Sequence, residues 1–135
     1  MGNKNQHKLV FKDQYSINPE RYHELRHFCL QYPIWIDAYV HLDGLSQLPP
    51  EEMERLNPTC SVGVVRARYK KWIDLVDTAA RAAAPNDLFI FLRMSVTERK
   101  SFKEIEQKFG GISCDEATFR NYKHRFFYIL SEMRE

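Results

Sequence analysis

Two helix-start signals lie on either side of a glycine pair in the last third of the chain, and this pattern constrains the fold most. Ser101 precedes Glu104 by three residues, the spacing of a capping box, in which the hydroxyl and the carboxylate satisfy free N–H groups of the first turn. Ser113 and Glu116 repeat that spacing. The pair Gly110-Gly111 can supply the positive backbone angles that end a helix. The pattern predicts a helix of about two turns, a turn, and a longer helix.

Apolar and cationic side chains fall on different stripes of the longer helix. Its apolar residues recur at steps of three and four, as a helix with one buried face requires: Phe119, Tyr122, Phe126, Ile129 or Leu130, and Met133. The positions between them hold Arg120, Asn121, Lys123, His124 and Arg125, and no acid occurs from residue 117 to 130. Two interpretations stay open. The segment is either a DNA-binding helix-turn-helix whose second helix lies in a major groove, or an ordinary helical hairpin with a solvated charged face.

Two shorter helices are expected near the start of the chain. Asn18 followed by Pro19 is a cap and a favoured first helical residue, and an apolar stripe continues from there until Pro33 breaks it. A second helix is expected from Trp35 to about Gly44. Residues 1–17 lack helical periodicity and predict a flexible arm, and residues 44–60 are rich in proline and predict a linker. We therefore assign residues 18–60 to a helical pair with its linker.

The longest helix is expected from about Thr59 to Ala84, where apolar residues step by threes and fours. Such a stripe fits one long core helix better than a seam between two chains, and a homodimer stays open. The next helix, Leu88 to Ser95, is nearly all apolar and is expected to be buried, with Asn86 or Asp87 as its cap. Residues 61–135 thus comprise a long core helix and the helix-turn-helix. The predicted fold is an all-α bundle of about five to six helices.

Composition fits a small regulator. At 135 residues the chain can bury the core of one domain, and its 20 Lys and Arg against 18 Asp and Glu give a net charge of only +2. Attraction to phosphates must therefore come from local patches. Three cysteines at long separations, Cys29, Cys60 and Cys114, argue against a disulfide framework or a zinc knuckle and favour a reducing cytoplasm. With no apolar run near 20 residues and a polar start, we expect no membrane partner and no export. We also expect no cofactor, since Gly110-Gly111 is not followed by the lysine-serine pair of a phosphate-binding loop.

One short motif points to a different class of protein. His23, Glu24 and His27 fit the pattern H-E-x-x-H, in which two histidines one helical turn apart bind zinc and the glutamate activates water. A hydrolase also needs a third ligand, and Arg26 places a cation inside the motif. A zinc metallohydrolase is therefore a remote alternative, and we expect no enzyme activity.

Six short motifs occur in order along the chain from about residue 28: Cys29-x-x-Tyr32-Pro33-x-Trp35, Asn57-Pro58-Thr59, Ala67-Arg68, Val96-Thr97, Gly111-Ile112-x-Cys114 and Tyr122-x-x-Arg125-Phe126-Phe127-Tyr128-x-Leu130. In these motifs the chain resembles a family of small prophage proteins of Gram-positive bacteria. The C-terminal third is in turn similar to phage transcriptional regulators of the ArpU and RinA type and to the helix-turn-helix of sigma factors.

This resemblance implies a DNA-binding regulator of a phage or mobile element. It implies a motif core of Phe102, Ile105, Ile112 and Phe119, and a reading helix that carries Thr118, Arg120, Asn121, Lys123 and His124. We expect Arg99, Lys100 and Lys103 to anchor phosphates, while arginine or asparagine on the reading helix pairs with guanine or adenine. Double-stranded DNA is the expected partner, and host RNA polymerase is a possible second one. The contrasting hypothesis is a phage protein that inhibits a host protein, such as a CRISPR nuclease.

Overall fold

A computed structural model describes residues 15–45 and 62–134 of the chain. Within these ranges the only regular secondary structure is helical, and we number the helices as follows: α1, Pro19–Leu30; α2, Tyr32–Leu45; α3, Val62–Ala83; α4, Phe89–Glu98; α5, Phe102–Phe109; α6, Glu116–Met133. The prediction of a small all-α bundle is confirmed. Most of the predicted arm and linker, the predicted start of the long helix at Thr59, and Cys60 lie outside the described residues.

Helix α3 forms the centre of the core. Val76, Ala79, Ala80 and Ala83 are fully buried along one side of it, and its most extensive contacts are with α2 and α6. The small alanine side chains let neighbouring helices approach closely, and larger rings fill the space around them. These positions of the apolar stripe therefore pack inside the chain and do not form a seam between two chains.

The first two helices meet at Gln31. Asn18 caps α1 by accepting a hydrogen bond from the Glu20 N–H at 2.8 Å, as its sequence predicts. The break expected at Pro33 lies two residues earlier, at Gln31, and Pro33 itself lies in the first turn of α2, where its missing N–H is not needed. Just before α1, Ile17 is buried in the core. The end of the predicted arm is thus packed against the bundle.

A polar cluster ties α2 to α3 and α4. The Tyr32 hydroxyl donates to Asp77 Oδ1 at 2.8 Å, and Arg93 Nη1 donates to the same oxygen at 3.1 Å. Burial and the neighbouring Asp77 carboxylate raise the pKa of Tyr32 to about 12. The phenol therefore stays protonated and remains a donor throughout the physiological range.

The C-terminal half of α6 is fastened to α1 by polar and aromatic contacts. Arg21 donates to the Ser131 carbonyl at 2.9 Å, and Arg134 Nη1 donates to Glu24 Oε1 at 3.1 Å. The Arg134 guanidinium also lies 3.9 Å from the centre of the Phe28 ring. We call this set of contacts the α1–α6 clasp. It joins the C-terminal end of α6 to α1 and adds to the more extensive packing of α6 against α3.

The capping predictions are right for α5 and wrong for the two helices on either side of it. Ser101 forms the full capping box with Glu104. Asp115, and not Ser113, caps α6, because its carboxylate accepts the Thr118 N–H at 2.7 Å, so α6 begins at Glu116.

The Ser113 hydroxyl instead donates to Asp87 at 2.9 Å. Asp87 is therefore not the cap of α4, which begins after Leu88 with no side-chain cap. The same helix is also less buried than its apolar sequence suggests, since Ile90 is 47% exposed. Helix α4 covers the core with one face only.

Two serine-to-alanine variants test whether Ser101 caps a helix and Ser113 does not, through their effects on the free energy of unfolding. We expect Ser101→Ala to lower the free energy of unfolding by about 1 kcal/mol, because an N–H of α5 loses its acceptor. Ser113→Ala should cost less than about 0.5 kcal/mol, because Ser113 makes only an exposed side-chain hydrogen bond. Urea denaturation followed by circular dichroism measures both values. Equal costs would contradict the assignment of Asp115 as the cap of α6.

Candidate nucleic-acid interface

Buried rings form the inner side of the candidate reading helix, α6. Phe119, Phe126, Phe127 and Leu130 are all buried in the core. Since a helix turns by 100° per residue, residues offset from these positions project away from the bundle. Arg120, Asn121 and Arg125 are exposed there. We call these three residues the open face of α6.

Lys123 lies on the buried side of α6, opposite Asn121 and Arg125 of the open face. It is four residues after Phe119 and four before Phe127, both buried, and is itself only partly exposed. It lines a partly enclosed pocket of about 280 Å³ together with Arg26, Arg99 and Lys100. Burial, Arg26 and Arg120, in that order, lower the pKa of the Lys123 ammonium. The structure therefore separates Lys123 from Asn121 and Arg125, while Arg120, three residues before it, stays close enough to act on its charge.

Thr118 takes part in the N-terminal cap of α6. Its backbone N–H and its side chain both bond to the Asp115 carboxylate, and these bonds lower the pKa of Asp115. The carboxylate is thus charged at neutral pH and caps the helix. His124 is partly buried, unlike its neighbour Arg125. Thr118 and His124 are less accessible than the open face.

The three expected phosphate anchors lie in the α4–α5 turn and at the start of α5. Lys103 is exposed on α5. Arg99 is exposed and closes α4 in the left-handed conformation, with φ at 58°. Lys100 is half-buried, and its carbonyl accepts a 2.7 Å hydrogen bond from the Ser95 hydroxyl. Arg99 and Lys100 line the same pocket as Lys123, whereas Lys103 does not.

The four residues that the resemblance implies as the core of a helix-turn-helix all lie in the hydrophobic core of the bundle or pack against it. Ile105 and Phe119 are buried, the Phe102 ring lies 5.5 Å from the Phe119 ring, and Ile112 packs against the same cluster. Gly110 ends α5 at φ 75°, a value that favours glycine. The turn from residue 110 to 115 then leads to α6. The position of α6 on the bundle is set mainly by its packing against α3.

The H-E-x-x-H residues do not form a metal-binding set. Glu24 is held between Arg21 at 2.9 Å and Arg134 at 3.1 Å, in the α1–α6 clasp. His23 and His27 are exposed. Across the two described ranges, no group of three or more His, Cys, Asp or Glu side chains is arranged to hold a metal ion. In the same ranges no helix has both the length and the apolar character to cross a bilayer.

Arg26 is the residue that sequence reasoning missed. It belongs to α1, far in sequence from Lys123, and no local pattern marks it as more than a solvated charge. Only the packing of α1 against α6 places it at the pocket.

Comparisons with known proteins assign no family to this arrangement. No family model matches the chain, and neither does any curated protein or solved structure.

Proposed function

We propose that the chain binds double-stranded DNA through the open face of α6 and regulates transcription in a phage or mobile element. One observation carries this proposal: Arg120, Asn121 and Arg125 project to solvent from a helix whose aromatic side is buried in the core. Such a helix can enter a major groove without unpacking its own protein. The resemblance to phage regulators supports the transcriptional role, with host RNA polymerase as a further partner.

Charge along α6 decides which part of the helix faces the duplex. Asp115 and Glu116, at its N-terminus, would repel phosphates. The duplex therefore lies against the middle of the helix, where arginine can pair bidentately with guanine and asparagine with adenine. Lys103 on α5 and the exposed Arg99 provide phosphate contacts beside the groove.

Salt dependence tests this mode of binding. We expect the full chain to bind duplex DNA with an affinity that falls linearly on a plot of log affinity against log salt, with a slope of roughly −2 to −4 for two to four phosphate contacts. Fluorescence anisotropy with duplexes enriched from a random pool measures the slope and the selectivity together. Failure to enrich any sequence, or absence of binding at low salt, would contradict the proposal.

A protein partner is the second candidate, and one specific observation favours it. Ile34 and Val40 on α2 are 65% and 62% exposed, and Ile36 on the same helix is 37% exposed. Ile36 and Val40, four residues apart, lie on one face of α2, and apolar side chains grouped on a surface are typical of protein contacts. Pull-down from a bacterial lysate, with and without nuclease, separates the candidates. Capture that survives nuclease and is lost in the double variant Ile36→Ser, Val40→Ser would favour the protein partner, whereas capture that nuclease abolishes favours DNA.

A further inference from the structure

We propose that Arg26, Arg99, Lys100 and Lys123 form a pocket that binds a phosphate group. The pocket lies between α1, the α4–α5 turn and α6, and encloses about 280 Å³. Four cations from three segments of the chain line it, and none of the described residues that line it carries a carboxylate. The proposal goes beyond DNA binding by the open face, because the pocket needs no duplex to be occupied.

The cations of this pocket repel one another. Lys123 is only partly exposed to water, and Arg26 contributes directly to lowering the pKa of its ammonium. Like charges held close together raise the free energy of the folded chain unless a counter-charge offsets them. A phosphate supplies up to two negative charges, and its oxygens accept hydrogen bonds from guanidinium forks and ammonium groups together.

The backbone at Arg99 adds an independent observation. Arg99 has φ at 58°, and it is the only residue besides glycine with a positive φ in the described part of the chain. Glycine is the residue most often found at such a helix end, because a Cβ atom is strained there. Here the position instead carries a guanidinium that lines the pocket. Strained backbone conformations of this kind cluster at ligand sites.

The volume of the pocket and the side chains that line it define the class of ligand. Tyr22 and Phe127 contribute aromatic surface to the pocket. A volume of about 280 Å³ falls just below the range of roughly 300–1,000 Å³ that is typical of small-molecule sites. The pocket therefore suits a phosphate group with at most a small substituent, supplied either as a free phosphate monoester or by a nucleic-acid backbone.

Titration with inorganic phosphate tests the pocket without DNA. We expect saturable shifts of the Arg26 and Lys123 side-chain resonances in NMR spectra, and a rise in Tm relative to chloride at equal ionic strength. The variants Arg99→Gly and Arg26→Gln should bind phosphate about tenfold or more weakly. Arg99→Gly should be at least as heat-stable as the unchanged chain in chloride, since glycine relieves the backbone strain, so lost binding cannot be attributed to unfolding.

A control variant and a duplex-binding measurement complete the experiment. Together they show where the phosphate comes from and which result would overturn the proposal. The control variant Lys71→Gln removes one exposed cation from α3, outside the pocket, and should bind phosphate normally. If inorganic phosphate does not bind but Arg26→Gln weakens duplex binding, the pocket takes a backbone phosphate. If phosphate leaves Arg26 and Lys123 unshifted and Arg26→Gln binds duplex normally, the proposal is wrong. A chain that binds phosphate in the pocket but binds no duplex would contradict the proposed DNA function alone.

Discussion

The double variant Arg120→Glu, Arg125→Glu is expected to weaken duplex binding by roughly 100-fold or more, with Tm nearly unchanged. Both side chains are exposed on the open face, so each reversal replaces an attraction for DNA with a repulsion. Neither contributes to the buried side of α6. Fluorescence anisotropy at fixed salt measures the affinity, and circular dichroism measures Tm. Unchanged duplex binding would remove the open face from the interface.

A matched control separates local charge from total charge. The double variant Arg68→Glu, Lys71→Glu changes the net charge by the same amount, at two exposed positions of α3. Those residues belong to a basic stretch of the sequence but lie on a different helix from the open face. We expect the control to lower affinity by less than about tenfold, through the weak long-range field alone. Equal losses in both variants would indicate non-specific attraction.

Phe126→Ala is expected to destabilise the chain by about 3–5 kcal/mol. The Phe126 side chain is fully buried, and its ring packs edge-on against Phe127 with centroids 5.1 Å apart. Truncation removes buried apolar surface and leaves a cavity that close-packed neighbours fill only in part. Because small domains are stable by only about 5–15 kcal/mol, this variant should be largely unfolded in moderate urea.

Phe109→Ala is the matched control for that truncation. Phe109 is 45% exposed and packs against Phe91 at 5.1 Å on the outer side of α5. Its truncation should cost less than about 1.5 kcal/mol, because much of the ring is already in contact with water. Denaturation curves of the two variants give the comparison. Similar costs would mean that α6 is not packed through Phe126.

Helix caps and helix ends are the features that the sequence of this chain predicts well. The cap at Asn18, the capping box at Ser101 and the helix end at Gly110 each depend on residues within one turn of each other, and all three are present. The second box failed because Asp115, two positions after Ser113, caps α6 by accepting the Thr118 N–H, while the Ser113 hydroxyl donates to Asp87. Sequence spacing alone does not decide between two residues whose types cap helices about equally well.

Tertiary packing explains what could not be predicted. Lys123 was grouped with Arg120 and Asn121 because they are neighbours on one helix, yet its side chain faces a pocket completed by Arg26 from α1. Nothing local to Lys123 identifies that partner, because the packing of α1 against α6 determines it. The open face could be predicted from helical periodicity, whereas the pocket could not.

The α1–α6 clasp affects how much conformational entropy the protein would lose on binding DNA. With Arg21 and Arg134 holding the far end of α6 to α1, the helix has little freedom to swing or reorient on the bundle. A duplex would thus meet a surface already in its final arrangement, and complex formation would lose little conformational entropy on the protein side. Recognition of this type resembles docking of rigid bodies, with adjustment left mainly to side-chain rotamers and to the DNA.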